Sequence, residues 1–114
     1  MPPRERRVRV EDILGSITKI ERYTAGMTFD TFQGDDRTVD AVIRNFQIIG
    51  EAARHVPPEV ESRFPHVPWI EMRGMRNIVV HEYFGVDLPI VWKTVVNRLP
   101  QLATQLRGVL EAQG

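Results

Sequence analysis

The chemically dense stretch of this chain is Met75-Arg76-Asn77-Ile78-Val79-Val80-His81-Glu82-Tyr83, which gathers a guanidinium, a carboxamide, an imidazole and a phenol. On an ideal helix Asn77 and His81, four apart, share a face, as do Arg76 and Tyr83, seven apart. Arg76 and His81 are five apart and point about 140° away from each other around the axis. They converge only if the Arg side chain wraps around, the helix deforms near His81, or a second subunit contributes. Such a set suits RNA cleavage without metal. The ribose 2′-hydroxyl must lose a proton while it attacks phosphorus, the extra negative charge must be held, and the leaving oxygen must be protonated. Imidazole trades protons near neutral pH, and a guanidinium cradles the charged phosphorane. Asn77 could hold a phosphate oxygen or orient the imidazole. One His cannot easily be acid and base at once, which favours a symmetric dimer with two copies.

Helices must position these groups. From Val8, apolar residues fall at Val10, Ile13, Leu14, Ile17 and Ile20, a helical spacing, and Gly26 stops that helix. Thr28–Phe32 is a turn-like connection with two Phe for the core. Asp35 or Asp36 caps a second helix, with Val39, Val42, Ile43, Phe46, Ile48, Ile49 and Ala53 as its stripe. It ends before Pro57-Pro58, because proline disfavours helix at the residue before it. The stretch 57–68 holds four prolines and is expected to be an ordered loop with a short turn at Glu59–Arg63. A third helix starts at Pro68-Trp69 and ends by Gly85. Asp87 caps a fourth, with Pro89 in its first turn and Val91, Trp92, Val95, Val96 and Leu99 as its apolar side; Pro100 kinks or restarts it. No segment alternates as a strand does. The expectation is an all-α, up-and-down bundle of four to five helices in a single domain, 1–114, with residues 1–7 as a flexible basic lead-in.

The composition excludes several classes. The chain has 114 residues, 15 Lys+Arg against 15 Asp+Glu, and no Cys. That rules out disulfide scaffolds, Cys-ligated zinc, iron–sulfur clusters and thiol catalysis. No apolar run nears the ~18 residues of a membrane span, and the N-terminus lacks a signal-peptide core, so a cytoplasmic protein is expected. His55 and His66 fit no short metal-ligand pattern with His81, so no metal and no cofactor are expected. The zero net charge argues against a long nucleic-acid footprint. It favours an alternative in which a non-catalytic module binds a nucleotide or partner as accessory subunit of a nucleotidyltransferase. Glu51 sits awkwardly in the second helix and could orient Arg76. Arg73 could add positive charge to the face of Asn77 and His81. Arg44 and Arg54, ten apart and about 80° around the helix, read as ordinary exposed charges that could broaden an RNA-facing surface. Trp69 and Trp92 read as core or dimer-interface aromatics, and Glu82 as solvent-facing.

The sequence resembles the HepT-like branch of the HEPN superfamily. An Arg followed within a few residues by His is the superfamily hallmark, here Arg76 and His81, and the HepT-like form adds a Tyr two beyond the His, here Tyr83. Ile49-Gly50-Glu51-Ala52, Pro68-Trp69, Met75-Arg76-Asn77, Asp87 and Val91-Trp92 agree, so the resemblance spans about residues 10–110. It implies a dimeric bundle whose Arg/His motifs face a shared cleft. The implied activity is that of a metal-independent endoribonuclease acting on tRNA or mRNA, with Arg76 and His81 catalytic. It further implies a toxin of a type VII toxin–antitoxin system. Its antitoxin would be a nucleotidyltransferase that adenylylates Tyr83 and could join it in a larger hetero-oligomer.

Overall fold

The computed structural model describes residues 3–81 and 87–113, with side chains placed for 7–77 and 87–112. The described residues form helices and connections only: α1 Pro3–Thr24, α2 Phe29–Gln33, α3 Asp36–Arg54, α4 Pro58–Arg63, α5 Trp69–His81, α6 Leu88–Lys93, a π-helical turn Thr94–Arg98, and α7 Leu99–Gln113. The α6–π–α7 run is one continuous rod, so four long helical rods, joined by two short helices, make the expected all-α bundle.

Helix α3 is the centre, packed against α1 on one side and α5 on another, while α7 closes over α1. The core is built from the stripes that periodicity picks out. Val10, Ile13, Ile17 and Ile20 of α1 and Val42, Phe46, Ile49 and Ala53 of α3 are all buried, as are Trp69, Met72 and Met75 of α5. Leu99, Leu102, Leu106 and Val109 of α7 complete it. Fully burying a side chain of this size contributes about 1.5–3 kcal/mol, so this face fixes how the helices sit.

The caps follow local chemistry. The Asp35 carboxylate accepts from the Thr38 N–H at 3.1 Å and opens α3. The Asp87 carboxylate does the same for α6 through the Ile90 N–H at 3.3 Å, with proline in the first turn. Gly26 takes φ +76°, a left-handed turn that only glycine adopts without strain, and so releases the chain from α1.

Three features differ from the expectation. Helix α1 starts at Pro3 rather than near Val8; the early Arg and Glu are good helix formers, and Arg7 pairs with Glu11 at 2.8 Å. The Thr28–Phe32 connection is itself a helix, closed by a reciprocal cap between Thr28 and Thr31 that seats Phe32 in the core. There the Phe32 ring lies 5.0 Å from that of Trp92. Ahead of Pro100 the backbone widens to a π turn, with the Leu99 N–H bonded to the Thr94 carbonyl. Proline lacks the N–H and its ring collides with the carbonyl four residues back, so one wide turn absorbs the conflict. The same turn rotates Val96, an expected core residue, to the surface at 51% exposure.

Candidate functional site

Arg76 lies where α5 crosses α3, and the crossing is unusually close. A Cβ built on Gly50 would stand 2.6 Å from both the Cβ and the backbone nitrogen of Arg76. Only glycine at position 50 lets the two backbones approach so closely, and the contact falls on Arg76 itself. The next residue along α3, Glu51, receives the guanidinium: Arg76 Nε is 3.2 Å from Glu51 Oε2. Both side chains remain about half exposed, at 41% and 50%. Arg76 is therefore pinned at its base by backbone packing and at its neck by a carboxylate, with its side chain still partly open to solvent.

Glu51 holds more than Arg76. Arg54 Nη1 donates to Oε2 at 3.5 Å, and His55 Nε2 lies 3.4 Å from Oε1. Glu51 is thus the hub of a small polar cluster, meeting Arg76 across the two helices and Arg54 and His55 on its own.

Two shallow, open grooves flank Arg76. One, of about 330 Å³, is lined by Arg44, Gln47, Ile48, Glu51 and Arg76. The other, of about 370 Å³, is lined by Arg54, Ile70, Arg73, Gly74, Arg76 and Asn77. Asn77 is exposed beside Arg76. Arg73 joins this groove but its guanidinium is tied to Glu61 of α4, so its charge is shared with a carboxylate rather than free. Helix α5 carries the backbone of His81 as its last residue, one turn beyond Asn77. The His81 side chain, Glu82 and Tyr83 lie outside the described residues. Among the described residues no three His, Asp or Glu gather into a metal site, and no helix is long and apolar enough to cross a membrane.

Arg54 and Arg44 gain a place that charge counting does not assign. The signal was present in the spacing: Arg44, Gln47, Ile48, Glu51, Arg54 and His55 repeat at intervals of three and four, a second stripe beside the buried one. Gly50 also carried a signal, as a glycine inside a helix that loses about 1 kcal/mol relative to alanine and so needs a packing reason.

Comparison with known proteins shows the family to which the chain belongs. The family model described as "Ribonuclease HepT-like" matches residues 13–109. A protein of Thermococcus cleftensis named "Probable ribonuclease HepT" is 43% identical over 93 residues, covering 82% of this chain and 84% of its own. One from Methanocaldococcus jannaschii, provisionally named an RNase, is 35% identical over 111 residues, covering 97% and 92%. One from Caldanaerobacter subterraneus, named in the same provisional way, is 35% identical over 104 residues, covering 91% and 93%. No solved structure matches the chain significantly. The chain belongs to the HepT-like ribonuclease family.

Proposed function

We propose that the protein is a metal-independent endoribonuclease in which Arg76 stabilises the phosphorane and His81 transfers protons. The observation that carries this is the pinning of Arg76, by the Gly50 crossing and by Glu51, in a half-exposed position between two open grooves. A cation fixed before substrate arrives is what electrostatic stabilisation of a developing charge requires. In the reaction the O2′–P bond forms and the P–O5′ bond breaks. The 2′-hydroxyl proton leaves to a base, and O5′ takes a proton from an acid. Asn77 positions a phosphate oxygen, and Glu51 is a positioning residue acting through Arg76. Family membership and the names of the relatives support the ribonuclease reading. The neutral overall charge is no obstacle, since four guanidinium groups, that of Arg76 among them, line the two grooves.

Homodimer formation supplies the second imidazole in this reading, so that one His81 acts as base and the other as acid. Control falls to Tyr83. A nucleotidyltransferase antitoxin joins the Tyr83 oxygen to the α-phosphorus of ATP, with pyrophosphate leaving, and the added nucleotide brings negative charge that repels RNA phosphates. This toxin–antitoxin reading rests on the resemblance carried by Arg76, His81 and Tyr83 in the sequence.

The test is cleavage of a mixed tRNA and mRNA pool in EDTA by parent, His81→Ala and Arg76→Ala proteins, each shown by intact mass to be unmodified. The parent should cut, and both variants should lose at least 10²-fold. Equal cutting by all three would overturn the assignment.

A further inference from the structure

The two grooves meet at Arg76, and each carries a further arginine of α3 on its far side: Arg44 in one, Arg54 in the other. These two lie ten residues apart, about 15 Å along the helix at its regular rise. That length is on the scale of three consecutive phosphates of an extended single strand. Four guanidinium groups (Arg44, Arg54, Arg73, Arg76) face this surface against two carboxylates, Glu51 and Glu61. In a chain of zero net charge, that is a local cationic excess on one face. Of the four, Arg54, Arg73 and Arg76 pair with those carboxylates, whereas Arg44 makes no ion pair among the described residues. We propose that this seam is a track for single-stranded RNA, with Arg44 and Arg54 holding the phosphates on either side of the one at Arg76. Ile48 and Ile70, which line the two grooves, give the sugars and bases an apolar floor. The track rests on the ribonuclease reading for the choice of ligand, but its geometry does not depend on cleavage.

The experiment measures binding of a fluorescent, uncleavable 2′-O-methyl oligoribonucleotide of about 10 nucleotides, within the usual site sizes for single strands, against KCl concentration. The protein is the full chain. Arg44→Gln should weaken binding by about 1.5- to fivefold, the range of one exposed ion pair. It should also lower the slope of log K against log salt by about 0.7, the single-strand value for one phosphate contact. Arg44→Lys should retain the slope. Arg107→Gln removes the same charge from an exposed site on α7 that lines neither groove, and should leave both quantities near the parent's. Unchanged slope and affinity in Arg44→Gln overturn the track, as does an equal loss in Arg107→Gln or no binding by the parent. An Arg44-dependent slope in a chain that never cuts would keep the track and sink the catalytic reading instead.

Discussion

Replacing Gly50 by alanine tests the geometry that holds Arg76. The new Cβ would lie 2.6 Å from backbone and Cβ atoms of Arg76, whereas ordinary contact begins at 3.4 Å, so α3 and α5 must part by about 0.8 Å. The obstructing atoms include backbone, so no side chain can swing away to relieve the clash. Overpacking of this kind costs about 1–3 kcal/mol, and alanine returns about 1 kcal/mol of helix propensity. The net destabilisation is about 0–2 kcal/mol. For a chain of this size each kcal/mol of it lowers Tm by about 4–8 °C. Gly15→Ala is the internal control: its Cβ meets nothing within 4 Å, so only the propensity gain remains and Tm should rise by a few degrees. Thermal melts followed by circular dichroism read both. The separation also carries Arg76 away from its place, and a misplacement near 1 Å can cost about 10²-fold in rate. Gly50→Ala should therefore lose cleavage even where it remains folded. A Gly50→Ala protein whose Tm rises as that of Gly15→Ala does would refute the close crossing and with it this account of how Arg76 is placed.

Glu51→Gln should lower turnover by about tenfold, because Arg76 loses its carboxylate, while changing stability by less than about 1 kcal/mol, since the pairs it breaks are half exposed; urea melts and steady-state kinetics separate the two. Phe32→Ala removes a fully buried ring stacked on Trp92 and should destabilise by about 3–5 kcal/mol in urea unfolding. The Thr38 N–H, then its hydroxyl, and Arg37 hold the Asp35 carboxyl below its ordinary 3.8. A lowered carboxyl contributes stability that is complete above 3.8 and is lost as the pH falls through the folded-state value. Asp35→Asn keeps a capping oxygen that does not titrate, so its urea midpoint should fall less steeply than the parent's in that acid window.

Most of the fold was legible because its determinants are local. The apolar stripes of α1, α3, α5 and α7, the Asp35 and Asp87 caps and the Gly26 stop each need only a few neighbouring residues. The π turn was not legible, because the kink expected at Pro100 is absorbed upstream at Thr94–Arg98 and moves Val96 outward. The short helix at Phe29–Gln33 was missed for a related reason: its Thr28–Thr31 cap is a weak signal until Phe32 is seen to be buried. At the site, residue types pointed to Arg76, Asn77 and Glu51, but which partners they meet is tertiary. Glu51 reaches Arg76 across two helices, and Arg73 is drawn to Glu61 twelve residues earlier. The role of Gly50 depends on a helix crossing that no local pattern encodes. His81 and Tyr83 remain assignments from the motif, the first with its backbone on α5 and both with side chains outside the described residues.

The most direct measurement of the central claim is the chemistry of the cut ends. A defined RNA is cleaved in EDTA by the unmodified protein, and the products are analysed by mass, alongside the same RNA with a 2′-deoxy residue at the cut site. Attack by the 2′-hydroxyl predicts 5′-hydroxyl ends, 2′,3′-cyclic phosphate or its opened product at the other end, and no cutting at the deoxy residue. Products with 5′-phosphate ends, or cutting at the deoxy residue, would contradict the account.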